Sequence, residues 1–302
     1  QYTLDSIDLS NRFRGITSGT SMMTIINSIS PLCYDSVPIE KMMAYADKDQ
    51  AVIPSPCAMP MLTGPASVAG ILAMTNAEIL AGIVFAQLYK PGNPVIYGNT
   101  SASTDMRSIQ LSIGSPEAAL ISYATAALAD YYHLPFRTGG GLSDAKQMDA
   151  QAGAESMMML YATYDAKPDY VLHNAGCMGE FNIVSFEKFI LDEEVALMAQ
   201  RQLAGVNCAP DRLCFEEIKK VGPRGTFLQG RTPKMYREEF YMAKLFNKDD
   251  PNNWQNAGAV SIEEAAREEA DKRIAAYTAP AIEKEQLAVI EPYLPEAFRD
   301  NF

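Results

Sequence analysis

The chain has 302 residues, 48% of them hydrophobic, with a net charge of −12 and a pI near 4.7. That is enough apolar material for one barrel-sized core or two smaller ones. The acidic balance argues against nucleic-acid or anionic-membrane partners, which select basic patches.

Five scattered cysteines show no CxxC or Cys/His spacing, so no bound metal is expected, and a reduced, cytoplasmic compartment fits them best. The chain opens on Gln1 rather than methionine, so an upstream segment is expected to be absent.

Residues 1–20 read as polar and irregular. Residues 24–31 (TIINSISP) alternate as a strand does, and Pro38 opens a helix over 38–47. One cadence then repeats: a short apolar run breaks into polar or glycine residues, and a helical pattern follows. The runs are 51–55 (AVIPS), 94–99 (PVIYGN), 135–139 (PFRTG) and 169–174 (DYVLHN). This is the grammar of βα units with buried parallel strands.

The predicted helices are 66–89, 115–132, 145–164 and 185–203. Ser115-Pro116-Glu117 and Ser185 with Glu187 are helix starts, and Ser143 or Asp144 is the expected cap of the third. The first, although very apolar, contains Asn76, Glu78 and Gln87 and reads as a buried helix rather than a membrane span. Strands are thus expected near 24–31, 51–55, 94–98, 135–138 and 169–173, with a weak sixth near 203–207. Beyond residue 222 no strand-like run survives, 249–253 reads as a solvated turn, and 260–276 and 283–290 are amphipathic helices. The expected organisation is a βα-barrel portion over 1–222 and a helical extension over 223–302.

In such folds ligands sit at the carboxyl ends of the strands. His173, one of two histidines, ends a strand and is the candidate catalytic residue, whereas His133 ends a helix and reads as structural. Tyr97, Asn99, Glu180, Phe181 and the glycines Gly139, Gly140 and Gly141 occupy the loops expected around it. Tyr97, Tyr34 and Phe181 are candidates for an aromatic cage around a quaternary ammonium. Asp105 and Arg107 read as a simple ion pair. Lys146 lies at an expected helix start, which disfavours a Schiff-base role.

Several strings resemble the trimethylamine methyltransferase family in its wider, non-pyrrolysine form. They are PLCYDS (31–36), NAEILAGIVFAQLYKPGNPVIYGN (76–99), DMRSIQLSIGSPEAALI (105–121), GGGLSDAKQMDAQAG (139–153), HNAGCMGEF (173–181) and SFEKFILDEE (185–194). They run in order over roughly residues 30–200. The resemblance implies a TIM-type (β/α)8 barrel, here lacking about three N-terminal βα elements, with a helical C-terminal part.

The implied activity is transfer of a methyl group from an amine to the Co(I) of a corrinoid on a separate protein. All residues here are standard and none aligns with the pyrrolysine of the founding members. A betaine-type substrate is therefore expected over trimethylamine. The family stretch matching GTFLQGRT (225–232) usually carries a histidine where this chain has Arg231. Arg231 is a candidate partner of a substrate carboxylate, or simply of Glu238 or Glu239. A homo-oligomer is also expected, with Ile274, Tyr277, Leu294 and Phe298 packing on outer helices or at a subunit interface. The competing readings are a silent subunit binding betaine or a corrinoid protein, and a lyase acting through Lys146.

Overall fold

The computed structural model describes residues 2–228 and 230–296. Helix α1 (Tyr2–Arg14) precedes β1 (Met23–Ile26) and α2 (Ser36–Asp47), and β2 (Ala51–Pro54) precedes α3 (Val68–Tyr89). Strand β3 (Tyr97–Gly98) is followed by a hairpin of β4 (Ser103–Asp105) and β5 (Gln110–Ser112), then by α4 (Pro116–Tyr131). Strand β6 (Phe136–Gly139) leads to α5 (Ala150–Asp165). Strand β7 (Tyr170–Leu172), a second hairpin of β8 (Cys177–Met178) and β9 (Ile183–Val184), and α6 (Phe186–Leu203) complete the series. Five helices follow: α7 (Phe215–Val221), α8 (Lys234–Glu239), α9 (Pro251–Asn256), α10 (Ile262–Ala275) and α11 (Lys284–Ile290).

The strands outside the two hairpins are all parallel. Strand β1 pairs with β2 from Met23↔Ala51 to Ile26↔Pro54, and the bridge Val52↔Val95 joins β2 to the residues before β3. Strand β3 pairs with β6, and β6 with β7. The spatial order therefore follows the chain order, β1-β2-β3-β6-β7, with a helix after every strand, as the repeated cadence predicts. Among the described residues no strand pairs with the outer edge of β1 or β7. The architecture is a mixed α/β layer structure, and a closed eight-stranded barrel is not formed by these residues.

Side-chain alternation divides the sheet into two faces. On the helix side, Tyr97 and Phe136 pack with Ile79, Ile83 and Ala129, and Val52 and Ile26 pack with Met42, Tyr45 and Ala86. Burial of each such side chain contributes roughly 1.5–3 kcal/mol. The other face carries Ile53, Ser55, Gly98 and Arg137: a Cβ built on Gly98 would lie 2.9 Å from Ile53 Cγ2 and 3.1 Å from Ser55 Oγ.

Several boundaries differ from expectation for local reasons. Strand β1 ends at Ile26, not near 31, because the hydroxyls of Ser28 and Ser30 turn aside to bond the Glu78 carboxylate of α3. No strand forms near 203–207: α6 runs to Leu203 and Gly205 then adopts φ 68°. Residues 2–14 are helical rather than irregular.

Helix α5 begins at Ala150 under an Asp149 cap, not at 145. Ser143 and Asp144 are committed elsewhere. Ser143 donates to Glu155 Oε2 (2.7 Å), while Asp144 accepts from Ser112 Oγ (2.6 Å), Ile113 N (2.8 Å) and Gly114 N (3.1 Å). The 249–253 stretch is partly helical, with Asp250 capping α9. The predicted caps Ser115 and Ser185 are present.

The C-terminal helices pack back on the layer. Ala266 and Ala270 of α10 are buried against Ile190 of α6, and Arg273 pairs with Glu193 at 2.6 Å. Helix α11 meets α1, where Gln286 donates to the Phe13 carbonyl. Ile274 and Tyr277 remain exposed, and Phe298 lies outside the described residues. Helix α3 is long and apolar enough to cross a bilayer, but here it packs against β2, α2 and α4.

Candidate active site

The carboxyl ends of the strands gather a polar cluster that the sequence did not single out. Arg137, on β6, is 1% exposed and points to the face opposite Tyr97 and Phe136. Its register partner on β3 is Gly98, and the guanidinium crosses that strand towards β2. There Nη1 donates to Thr100 Oγ1 at 2.8 Å and to Ser55 Oγ at 3.4 Å, and the two hydroxyls are themselves 2.8 Å apart. Its Nε has no partner, and no carboxylate lies within ion-pair distance among the described residues. Burial lowers its pKa to about 10, against the opposing influence of Tyr170 and Cys57, so it stays charged at neutral pH.

A buried guanidinium without a counter-ion is costly. It leaves a donor group directed at the place where strand-end ligands bind.

His173 follows β7 directly, with φ 58°. Its ring centroid lies 5.0 Å from that of Phe181. Partial burial, then the Arg137 charge, hold its pKa below the usual 6.5, so the neutral imidazole dominates at pH 7. The loop carrying both rings is strained: His173, Glu180 and Phe181 all have positive φ, which non-glycine residues adopt only where surroundings enforce it. Glu180 is tied down by Lys146 at 2.8 Å. Lys146 also donates to the Asp144 carbonyl, and its pKa is raised, first by the hydrogen bond to Glu180. It sits in the loop before α5 as an exposed cation, the wrong state for a Schiff-base nucleophile.

The glycine turn is a site of close approach. A Cβ at Gly139 would lie 2.6 Å from Leu142 Cδ1, one at Gly140 2.5 Å from Asn174 Cα, and one at Gly141 2.8 Å from the Asn174 carbonyl oxygen. The turn and the His173 loop are thus in backbone contact, closed by a Gly141 N–Asn174 O hydrogen bond of 3.0 Å. A cavity of about 30 Å³ at this end is lined by Asn99, Arg137, Gly139 and Phe181 among others. That is room for a water, not for a substrate.

His173, Phe181, Glu180 and the glycine turn therefore come together, and four expected residues are committed elsewhere or lie apart from them. Tyr97 faces the helices, fully buried, with its hydroxyl donating to Asn76 Oδ1 at 2.6 Å. Strand alternation puts it on the face opposite Arg137. Tyr34 likewise donates to the Glu78 carbonyl, so the proposed cage of Tyr97, Tyr34 and Phe181 does not form. Asn99 reaches the cavity wall but spends its amide on Thr75 and Thr125 of α3 and α4. Arg231 is exposed, and no hydrogen bond or ion pair joins it to the cluster among the described residues. Glu238 and Glu239 do not hold it either, being paired with Arg212, Lys234 and Arg201. Asp105 and Arg107 pair with each other at the hairpin turn, as expected.

Comparison with known sequences places the chain. The model of the trimethylamine methyltransferase (MTTB) family matches residues 2–296. The chain belongs to this family. It is 42% identical to the proline betaine:corrinoid methyltransferase of Eubacterium limosum, over 98% of this chain and 62% of that protein. To the glycine betaine methyltransferase of Desulfitobacterium hafniense (strain Y51) it is 44% identical, over 91% of this chain and 57% of the relative. To the L-carnitine:corrinoid methyltransferase of Eubacterium limosum the figure is 39%, over 90% and 56%. The chain thus spans less than two thirds of the length of these relatives.

Proposed function

We propose that this chain is the substrate-binding part of a methyltransferase that moves a methyl group from a betaine to a corrinoid carried by a separate protein. The observation that carries this reading is Arg137. A betaine has a fixed cationic head and a carboxylate, and a buried guanidinium lacking a counter-ion suits the carboxylate. Trimethylamine offers nothing to such a group. Because His173 is neutral at pH 7, Arg137 supplies the charge, while the imidazole orients the carboxylate by hydrogen bonding. Phe181 presents its ring face to the ammonium head. The three relatives above are named for quaternary amines that bear a carboxylate.

The chemistry asks little acid–base work of the protein. When a methyl group leaves a quaternary nitrogen, the C–N electron pair stays on nitrogen and yields a neutral tertiary amine, so no proton need be delivered. The residues bind, desolvate and aim the methyl carbon. A reduced cobalt centre, brought by the partner, would supply the electron pair that accepts it. Leu32, Met61, Met106 and Ile109, on three successive strand-end loops, are exposed apolar side chains that would suit contact with the corrinoid protein.

The proposal extends to the fold, with the five ordered parallel βα units as part of a (β/α)8 barrel, residues 223–302 as its helical extension, and the protein as a cytoplasmic homo-oligomer. The unpaired thiols of all five cysteines support a reducing compartment. Light scattering tests the oligomer.

Titration calorimetry tests the central claim. Proline betaine and glycine betaine should bind and trimethylamine should not, and the bound betaine should methylate cob(I)alamin. Equal binding of trimethylamine, or betaine binding unaffected by Arg137→Ala, would overturn it.

A further inference from the structure

Behind the candidate site lies a second polar cluster that touches no solvent. Lys188 and Asp192, one turn apart on α6, are both 0% exposed and form an ion pair of 2.6 Å. Each also holds a backbone group from a different loop. Lys188 Nζ donates to the Gly141 carbonyl at 2.7 Å, and Asp192 Oδ2 accepts from Gly176 N at 2.8 Å. Gly141 belongs to the turn after β6, and Gly176 to the loop that starts at His173. The fit is close on both sides. A Cβ at Gly141 would lie 2.9 Å from Asp192 Oδ2, and Gly176 takes φ 78°, where a side chain is strained.

We propose that Lys188 and Asp192 are positioning residues: the pair sets the backbone of the 139–141 turn and the 173–176 loop, and so fixes the orientation of His173. This rests on the reading of His173 as a site residue.

The energetics favour that role over simple stabilisation. A buried ion pair is often worth no more than an apolar pair of the same volume, because desolvating two charges offsets their attraction. What an apolar pair cannot do is bind a carbonyl on one loop and an amide on the next. The strain at His173, Glu180 and Phe181 needs such an anchor, since backbone held at positive φ persists only when its neighbours over-determine it.

The chain has two histidines, so imidazole NMR signals report on His173 directly, with His133 as internal reference and His173→Gln for assignment. Lys188→Met keeps the aliphatic stem and deletes the ammonium. Lys188→Met/Asp192→Leu replaces the whole pair and covers the case in which the single variant leaves Asp192 buried alone and fails to fold. In a folded variant, the His173 titration should move up towards that of an ordinary histidine while His133 stays put. Affinity for proline betaine should fall at least tenfold. A folded variant whose His173 titrates as in the parent protein would overturn the proposal. The titration is read without ligand, so failure of the parent protein to bind betaine would count against the proposed function and leave this result standing.

Discussion

The Arg137 guanidinium crosses β3 to donate 2.8 Å to Thr100 Oγ1 and, among the described residues, meets no carboxylate. Among those residues, this desolvated cation has no neutralising partner. Such a group should be a liability for stability and an asset for binding.

Arg137→Met separates the two effects. Removing an uncompensated buried charge should leave the melting temperature unchanged or raise it. A charged hydrogen bond to a ligand is worth about 1.5–3 kcal/mol, so betaine affinity should drop roughly ten- to a hundredfold. Paired calorimetry and thermal melts check both. A large loss of stability with unchanged affinity would make Arg137 purely structural.

The histidine has a pH signature. Folding lowers the pKa of His173, so the native state favours the neutral ring. The stability this contributes is complete above the unfolded value near 6.5 and is lost as pH falls from there through the lowered native value. Thermal melts between pH 7.5 and 5 should show the loss, and His173→Gln should flatten part of the slope. The same variant should slow methyl transfer without unfolding the chain.

The glycine turn should tolerate no side chain. Gly140→Ala places a methyl group 2.5 Å from Asn174 Cα, a contact with backbone that cannot swing away. Overpacking of this kind costs about 1–3 kcal/mol. Betaine binding should fall with it, because Asn174 follows His173. Gly153→Ala, where nothing lies within 4 Å, is the control and should be neutral or stabilising.

Lys146 separates this reading from lyase chemistry. Its ammonium is 64% exposed at the side chain and held by Glu180. Lys146→Ala should change the melting temperature little, since exposed ion pairs contribute little. Borohydride should trap no imine with any carbonyl substrate, and mass spectrometry of the treated protein reads this out directly.

The βα order was legible because its signals are local: apolar runs, and the caps Ser115 and Ser185. The facing of side chains was less so. Tyr97 and Arg137 both sit in runs buried on two sides, where hydrophobicity is continuous and period-2 alternation leaves no trace. A charged residue inside such a run, the arginine of FRTG, was the available signal, because an arginine buried among apolar neighbours demands a reason. The start of α5 was misplaced for a different cause. Ser143 and Asp144 have the chemistry of helix caps, but they serve Glu155 and the residues at 112–114, which are remote in sequence.

Glu78 has a consequence at the rim. From within α3, its carboxylate accepts from Ser28 and Ser30 and from the Leu32 amide at 2.8 Å. The loop after β1 is thereby frozen before any partner arrives, with Leu32 displayed outward at 67% exposure. A surface already ordered loses little conformational entropy on association. Docking there can be transient and still selective, which would suit the proposed transfer, in which the methyl acceptor has to leave after every turnover.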